Sequence, residues 1–323
     1  MAKVYVTREL PGTALDTLKR VHEVEVYQST DGGAIPREIL LEKVRGVEAI
    51  LPLLTDKIDS EVFEAAGDTL QVVANYAVGY DNIDVGEASR RGIVVTNTPG
   101  VLTEAVVEHT WALVLSVVRR VVEADTYTRA GKYRAWGPGL FLGMQLEGKV
   151  MGIVGLGRIG TLVAQRARRG FEMSLVYHTR HRNEEFEKEF EADYVSLNEL
   201  LSRADVVSLH VPLTNETRHL IGRDQLAKMK PAAYLINTAR GALVDEVALV
   251  EAIESGKIAG AGLDVFEFEP QVNERLTTMD NVVLTPHIAS ATVEAREEMV
   301  RMTVSNILAV LAGKEPENLV TAS

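Results

Sequence analysis

Apolar positions along the chain fall into two rhythms. Over the first hundred residues the runs "KVYVT", "EVEVY", "VEAILPLL", "LQVVANYA" and "GIVVTNT" are short and β-rich, and amphipathic stretches such as "PREILLEKV" separate them. Strand then helix, repeated, predicts a small open parallel sheet. From Val106 through Val122 the apolar residues change to helical spacing, and no proline falls between Pro99 and Pro138. That predicts a long helix after Thr103 carrying the chain into a second unit. There "KVMGIVG", "EMSLVYHT", "DVVSLHVP", "AYLINTA", "IAGAGLDVF" and "NVVLTP" alternate again with helix-like segments, the doubly wound pattern. The closing stretch "ATVEAREEMVRMTVSNILAVLAG" reads as helix, most economically returning to cover the first sheet. The expected fold is α/β, with two doubly wound parallel-sheet domains: residues 1–99 and 289–323 in one discontinuous domain, and residues 100–288 inserted into it. "RNEEFEKEFE" reads as a solvated helix face.

Composition narrows the class of partner. The 323 residues exceed the size at which one core keeps growing, in keeping with two domains. Lysine plus arginine number 34 against 46 acids, a net charge of -12 that repels nucleic acid and anionic lipid. Without cysteine there is no disulfide framework and no thiolate nucleophile or metal ligand, and no metal site is expected. "MAKVYVTREL" lacks the pattern of a secretion signal, so a cytoplasmic protein is expected. The most apolar long stretch, Ala105 to Val122, contains Glu108, His109, Arg119 and Arg120, and reads as a buried helix, not a membrane span.

"GIVGLGRIG" sets Gly155, Gly157 and Gly160 in GxGxxG spacing between an apolar strand and a helical run through Arg169 that Gly170 can close. The first glycine permits a tight turn, the second lets backbone approach a pyrophosphate, and the third lets helix and strand pack closely. Arg158 and Ile159 belong to the same turn. The following strand should end in an acid that binds the adenosine ribose of NAD. In "LVYHTRHRN" Thr179 stands there, with Arg180, His181 and Arg182 behind it. A hydroxyl and guanidinium groups suit a 2′-phosphate, so NADP is expected in preference to NAD. From Arg158 to Arg182 there are six arginines and one acid, Glu172, although Arg166, Arg168 and Arg169 also suit a helix C-terminus.

Three further polar residues stand at strand ends or in the loops after them: Arg240 in "INTARG", Glu269 in "DVFEFEP" and His287 in "LTPHIAS". Together they offer what reduction of a 2-oxo acid requires. A guanidinium fork holds the carboxylate, an imidazolium protonates the carbonyl oxygen, and a carboxylate orients that imidazole.

The motifs "GLGRIG", "NTARG", "GLDVFEFEP" and "TPHIAS", in this order and spacing, resemble the D-isomer-specific 2-hydroxyacid dehydrogenase family over nearly the whole chain. "NYAVGYDNID", "TNTPGVLTE" and "AWGPGLFLG" are most similar to its branch that reduces glyoxylate and hydroxypyruvate. The resemblance implies a flavodoxin-like substrate domain, an inserted Rossmann nucleotide domain and a homodimer. It implies substrate carboxylate binding by Arg240 and by the amides of Val78 and Gly79, acid-base work by His287, and Glu269 as its partner. It also implies cofactor contacts from His210, Pro212, Thr238, Ala239 and Asp264, a pocket wall at Leu53 and Leu54, and Trp136 reaching a partner subunit.

Departures choose among relatives. Phosphoglycerate dehydrogenases typically place arginine where this chain has Asn75, and formate dehydrogenases pair the histidine with glutamine where it has Glu269. Phosphite dehydrogenases share the Arg, Glu and His set and remain an alternative. So does a cofactor-sensing binding protein like the transcriptional corepressors of the same fold.

Overall fold

The computed structural model describes residues 1–30 and 32–321. The chain divides into two compact units, one of residues 1–102 with 291–323 and one of residues 103–290. In the first, β1 (Lys3–Val6), β2 (Glu23–Val26), β3 (Ala49–Leu51), β4 (Val72–Ala74) and β5 (Val94–Thr96) form a sheet in the order β2-β1-β3-β4-β5, every pairing parallel. Strands β3 and β4 are buried on both faces, which is why they read as unbroken apolar runs with no alternation. Helices α1 (Ala14–Lys19), α2 (Arg37–Lys43), α3 (Ser60–Ala66) and α4 (Val85–Arg90) connect the strands. The C-terminal helix, Val293–Leu311, packs on α1, β4 and β5. The Thr292 hydroxyl caps its start, accepting from the Ala295 amide at 3.1 Å, and Met299, Val300, Val304 and Ile307 are its buried side.

The second unit opens with α5 (Thr103–Val118) and α6 (Val121–Arg129). The single long helix expected through Val122 is therefore broken. The Met144 amide takes the Val118 carbonyl at 2.9 Å, and Arg120 turns into the left-handed region at φ 55°. Strands β6 (Val150–Val154), β7 (Ser174–His178), β8 (Ala192–Tyr194), β9 (Val206–Leu209), β10 (Tyr234–Asn237), β11 (Gly260–Leu263) and β12 (Val282–Leu284) form a parallel sheet in the order β12-β11-β10-β9-β6-β7-β8. Strand β8 was not expected from the sequence. It is a three-residue edge strand with two exposed residues, too short and too polar to register as an apolar run. Helices α7 (Arg158–Phe171), α8 (Glu184–Phe190), α9 (Leu197–Arg203), α10 (Arg223–Leu226) and α11 (Glu246–Glu254) complete the winding. Helix α7 runs through Gly170 and closes two residues later than expected, on Glu172 at φ 52°.

In each sheet the strand order reverses once, between β1 and β3 in the first and between β6 and β9 in the second. Open α/β sheets bind ligands beyond the strand carboxyl ends at such a reversal. No helix among the described residues is long and apolar enough to cross a membrane.

Candidate active site

The glycine turn sits at the reversal of the seven-stranded sheet. Gly155 follows β6 at φ 98°, its amide donates to the His178 carbonyl at 2.8 Å, and a Cβ there would lie 2.7 Å from the His210 carbonyl at the end of β9. A Cβ on Gly160 would lie 2.1 Å from the Gly155 carbonyl, so helix α7 can seat against the turn only without a side chain. Gly157, at the helix start, is different: no atom lies within 4 Å of a Cβ built there. That open space is where a pyrophosphate needs close backbone approach, so the turn fits a dinucleotide. Ile159 is half-buried behind the turn, and Arg158 is exposed.

Thr179 is the first residue beyond β7, half-buried, its carbonyl accepting from the Tyr194 hydroxyl at 3.2 Å. Arg180 and His181 are exposed, and Arg180 forms no hydrogen bond or ion pair with another described residue. Arg182 is occupied: its Nε and Nη2 meet the two Glu187 carboxylate oxygens at 2.8 and 2.6 Å. That pairing, with the Tyr177 hydroxyl at 2.7 Å, holds the Glu187 carboxyl down at about 2. The local excess of arginine shrinks further, since Arg166, Arg168 and Arg169 pair with Glu104, Glu191 and Glu189.

Arg240, Glu269 and His287 follow β10, β11 and β12, three adjacent strands, at their carboxyl ends. Asn237 folds the first loop into a turn, accepting from the Ala239 amide at 3.1 Å and donating to the Arg240 carbonyl at 2.8 Å. Arg240 Nη1 also donates to the Ala239 carbonyl at 2.8 Å. Gly241 is required just after it, because a Cβ there would fall 1.9 Å from the Phe266 carbonyl carbon. Glu269 reaches back to its own loop, Oε1 accepting from the Phe266 amide at 3.0 Å, which turns Oε2 toward His287 Nδ1 at 2.8 Å. A carboxylate only accepts, so Nδ1 carries the proton in that bond and Nε2 is the nitrogen left to face a ligand.

The His287 backbone is left-handed, φ 52°. Asp264, at the end of β11 and fully buried, holds it there. The Asp264 carbonyl accepts from the His287 amide at 2.8 Å, while its carboxylate accepts the Ile288 and Ala289 amides, each at 2.8 Å, and the Thr285 hydroxyl at 2.6 Å. Burial pushes the Asp264 carboxyl up, but His109, Thr285 and the two amides outweigh it and the net direction is down, so it is ionised. The Asp264 carboxylate, which the family resemblance implies as a nicotinamide contact, is enclosed by the His287 loop. Neither His109 nor Thr285 is marked in the sequence, because their partners lie too far along the chain for any local pattern to reveal.

The remaining expected residues are dispersed. Thr238 is buried against Thr110 of α5, hydroxyl to hydroxyl at 3.0 Å, and Ala239 is half-buried. His210 bonds the Ser208 hydroxyl at 2.9 Å, and burial pushes its imidazole down to about 3, so it is neutral. Pro212 is exposed. Trp136 is 79% exposed. Leu53, Leu54, Val78 and Gly79 are half-buried in the loops after β3 and β4 of the first unit. Asn75, fully buried, donates to the Gly79 carbonyl at 2.8 Å, and Asn82 donates to the Leu53 carbonyl at 3.1 Å. The Val78 and Gly79 amides donate to no described residue.

A turn built for a pyrophosphate and an imidazole-carboxylate pair at neighbouring strand ends define a nucleotide-dependent dehydrogenase. Residues 111–289 match the family model of the D-isomer-specific 2-hydroxyacid dehydrogenase NAD-binding domain, and the chain belongs to that family. It is 52% identical to the glyoxylate reductase of Thermococcus litoralis over 98% of this chain and 96% of that one. Its fold superposes on a protein of Thermus thermophilus with a TM-score of 0.92 at 50% identity, covering 99% of this chain and 100% of the other. An NADPH-dependent glyoxylate/hydroxypyruvate reductase of Sinorhizobium meliloti, solved with NADP and malonate, superposes with a TM-score of 0.85 at 35% identity, covering 99% and 96%.

Proposed function

We propose that this protein reduces small 2-oxo acids, glyoxylate to glycolate and hydroxypyruvate to D-glycerate, with NADPH preferred. The observation that carries the reading is the His287 Nδ1 to Glu269 Oε2 bond of 2.8 Å, with Arg240, Glu269 and His287 at the ends of three consecutive strands of the sheet. The names of the relatives from Thermococcus litoralis and Sinorhizobium meliloti support the substrate class. When bound, the cofactor supplies a hydride to the carbonyl carbon. Arg240 pairs with the substrate carboxylate in a two-pronged contact and fixes its orientation. In the first unit, the amides of Val78 and Gly79, which donate to no described residue, suit a carboxylate. Protonated His287 gives its Nε2 proton to the carbonyl oxygen as negative charge develops there. Glu269 stabilises the imidazolium before transfer and keeps the ring in one tautomer.

Gly155, Gly157, Arg158, Ile159 and Gly160 hold the pyrophosphate, and Thr179 with Arg180 meets the 2′-phosphate. A homodimer and cytoplasmic residence complete the proposal, with Trp136 at the subunit contact. A sizing run giving twice the 35.4 kDa chain mass tests the first. The decisive experiment is a steady-state matrix of NADH and NADPH against glyoxylate, hydroxypyruvate and pyruvate. Turnover with the first two acids is expected, faster at low NADPH than at low NADH. An NADH preference refutes the cofactor assignment, and absence of turnover refutes the reaction.

A further inference from the structure

Two consecutive residues of helix α5 each reach a different loop at the carboxyl edge of the seven-stranded sheet. Thr110 gives its hydroxyl proton to the Val106 carbonyl at 2.7 Å and so accepts from Thr238, beyond β10, at 3.0 Å. His109 lies with Nε2 at 3.0 Å from the Thr285 hydroxyl, beyond β12, and 3.3 Å from Asp264 Oδ1. The Thr285 hydroxyl proton is committed to Asp264 at 2.6 Å, because an ionised carboxylate can only accept. Thr285 therefore accepts from His109, and the His109 proton is on Nε2.

The bonds form one chain: His109 to Thr285, Thr285 to Asp264, and Asp264 to the backbone of His287, Ile288 and Ala289. Its last link holds His287 at φ 52°, a conformation a non-glycine residue keeps only when its surroundings impose it. We propose that His109 is a positioning residue for the reduction: by donating to Thr285 it locks the Asp264 clamp that sets the aim of the His287 imidazole. This rests on the reading of His287 as the acid of the reaction. His109 touches no reacting atom in this scheme; it acts on Asp264, through Thr285 and directly across 3.3 Å. A ligand's carboxylate is held elsewhere, by Arg240, so loosening His287 should slow proton transfer and leave binding almost intact.

The test uses the full-length protein and the variants His109→Leu, His109→Gln, Thr285→Val and the Leu/Val double variant. Glutamine keeps an N–H donor near the imidazole Nε2, whereas leucine removes it. With glyoxylate and NADPH, His109→Leu is expected to lower kcat roughly 10- to 100-fold, the scale of a small misplacement of a catalytic group, with KM changed less than about threefold. His109→Gln should recover most of that loss. The double variant should lose less than the product of the two single losses, since both changes release the same carboxylate. Separately from activity, the His287 ring resonance, assigned by its loss in His287→Ala, should shift or broaden in His109→Leu and return in His109→Gln. Additive losses, failure of glutamine to rescue, or an unchanged His287 resonance in His109→Leu overturn the proposal. A parent protein without turnover overturns the functional reading instead, and the resonance measurement still decides the role of His109.

Discussion

Arg180 and Arg182 stand two residues apart in one basic turn, yet they should contribute very differently to cofactor choice. Arg180 is exposed and unpaired among the described residues, while Arg182 is held by both oxygens of Glu187. A phosphate monoester carries roughly -1.5 to -2 charges near neutral pH. At about 4 Å in water, each charge pair is worth about 1 kcal/mol, which gives about 1.5–2 kcal/mol for Arg180. A charge-assisted hydrogen bond measured by its deletion, about 1.5–3 kcal/mol, brackets the same range. Arg180→Ala should therefore weaken NADPH roughly 10- to 100-fold and leave NADH within about twofold. Arg182→Ala should cost less than about threefold, because its Nε and Nη2 are committed to Glu187 and are not turned to the phosphate. Calorimetric titration of both nucleotides at about 0.05 M and 0.5 M salt is the assay, and the Arg180 effect should shrink at the higher salt as screening shortens its reach. Equal losses from the two alanines, or a parallel loss for NADH, would refute the 2′-phosphate reasoning.

Other consequences are as direct. Gly157→Ala should leave thermal stability nearly unchanged, since no protein atom lies within 4 Å of the added Cβ, but weaken NADPH more than about tenfold. Gly160→Ala should do the opposite first, costing about 1–3 kcal/mol of stability in denaturant titration through its clash with the Gly155 carbonyl. His287→Ala should slow glyoxylate reduction about 10²- to 10⁴-fold; a loss of only a few-fold removes it from the acid role. For Asp59, burial pulls the carboxyl upward, but Arg37 and Lys57 prevail and hold it at about 2. A carboxyl lowered by folding stabilises above its unfolded value near 4, and that stability is lost as pH falls toward 2. The melting-temperature gap between parent and Arg37→Ala should thus be widest above about pH 5, narrow as pH falls from about 4 through 2, and close only below about pH 2.

Strands buried on both faces, such as β3, β4 and β9, were legible because parallel central strands must be apolar throughout. The glycine turn was legible because backbone crowding at Gly155 and Gly160 excludes every side chain, and that exclusion leaves a fixed spacing. Arg240, Glu269 and His287 were visible as polar residues at strand ends. The helix break after Val118 was not visible, because its cause is the Met144 amide, twenty-six positions away in numbering, taking a helical carbonyl. His109 and Thr285 escaped for a related reason. A hydrogen bond between residues 176 positions apart leaves no mark on local periodicity, and a histidine in an apolar helix reads only as an interruption. Pairing of Arg182 with Glu187 was equally hidden, since charge counting along the chain does not say which charges meet.

The buried Asn75 has an evolutionary consequence. An arginine at this position would offer a cation to a phosphorylated acid, which makes a single codon change look like a short path to a new substrate. Here the side chain is fully enclosed, and it bonds the Gly79 carbonyl and Asn82, which in turn bonds the Leu53 carbonyl. An arginine would add volume and an unpaired charge to that space while dissolving the bonds that shape two loops. A lineage starting from this chain would have to relax residues 53–56 and 79–82 before it could acquire the cation, so the order of mutations, more than their number, separates it from phosphate-specific kin.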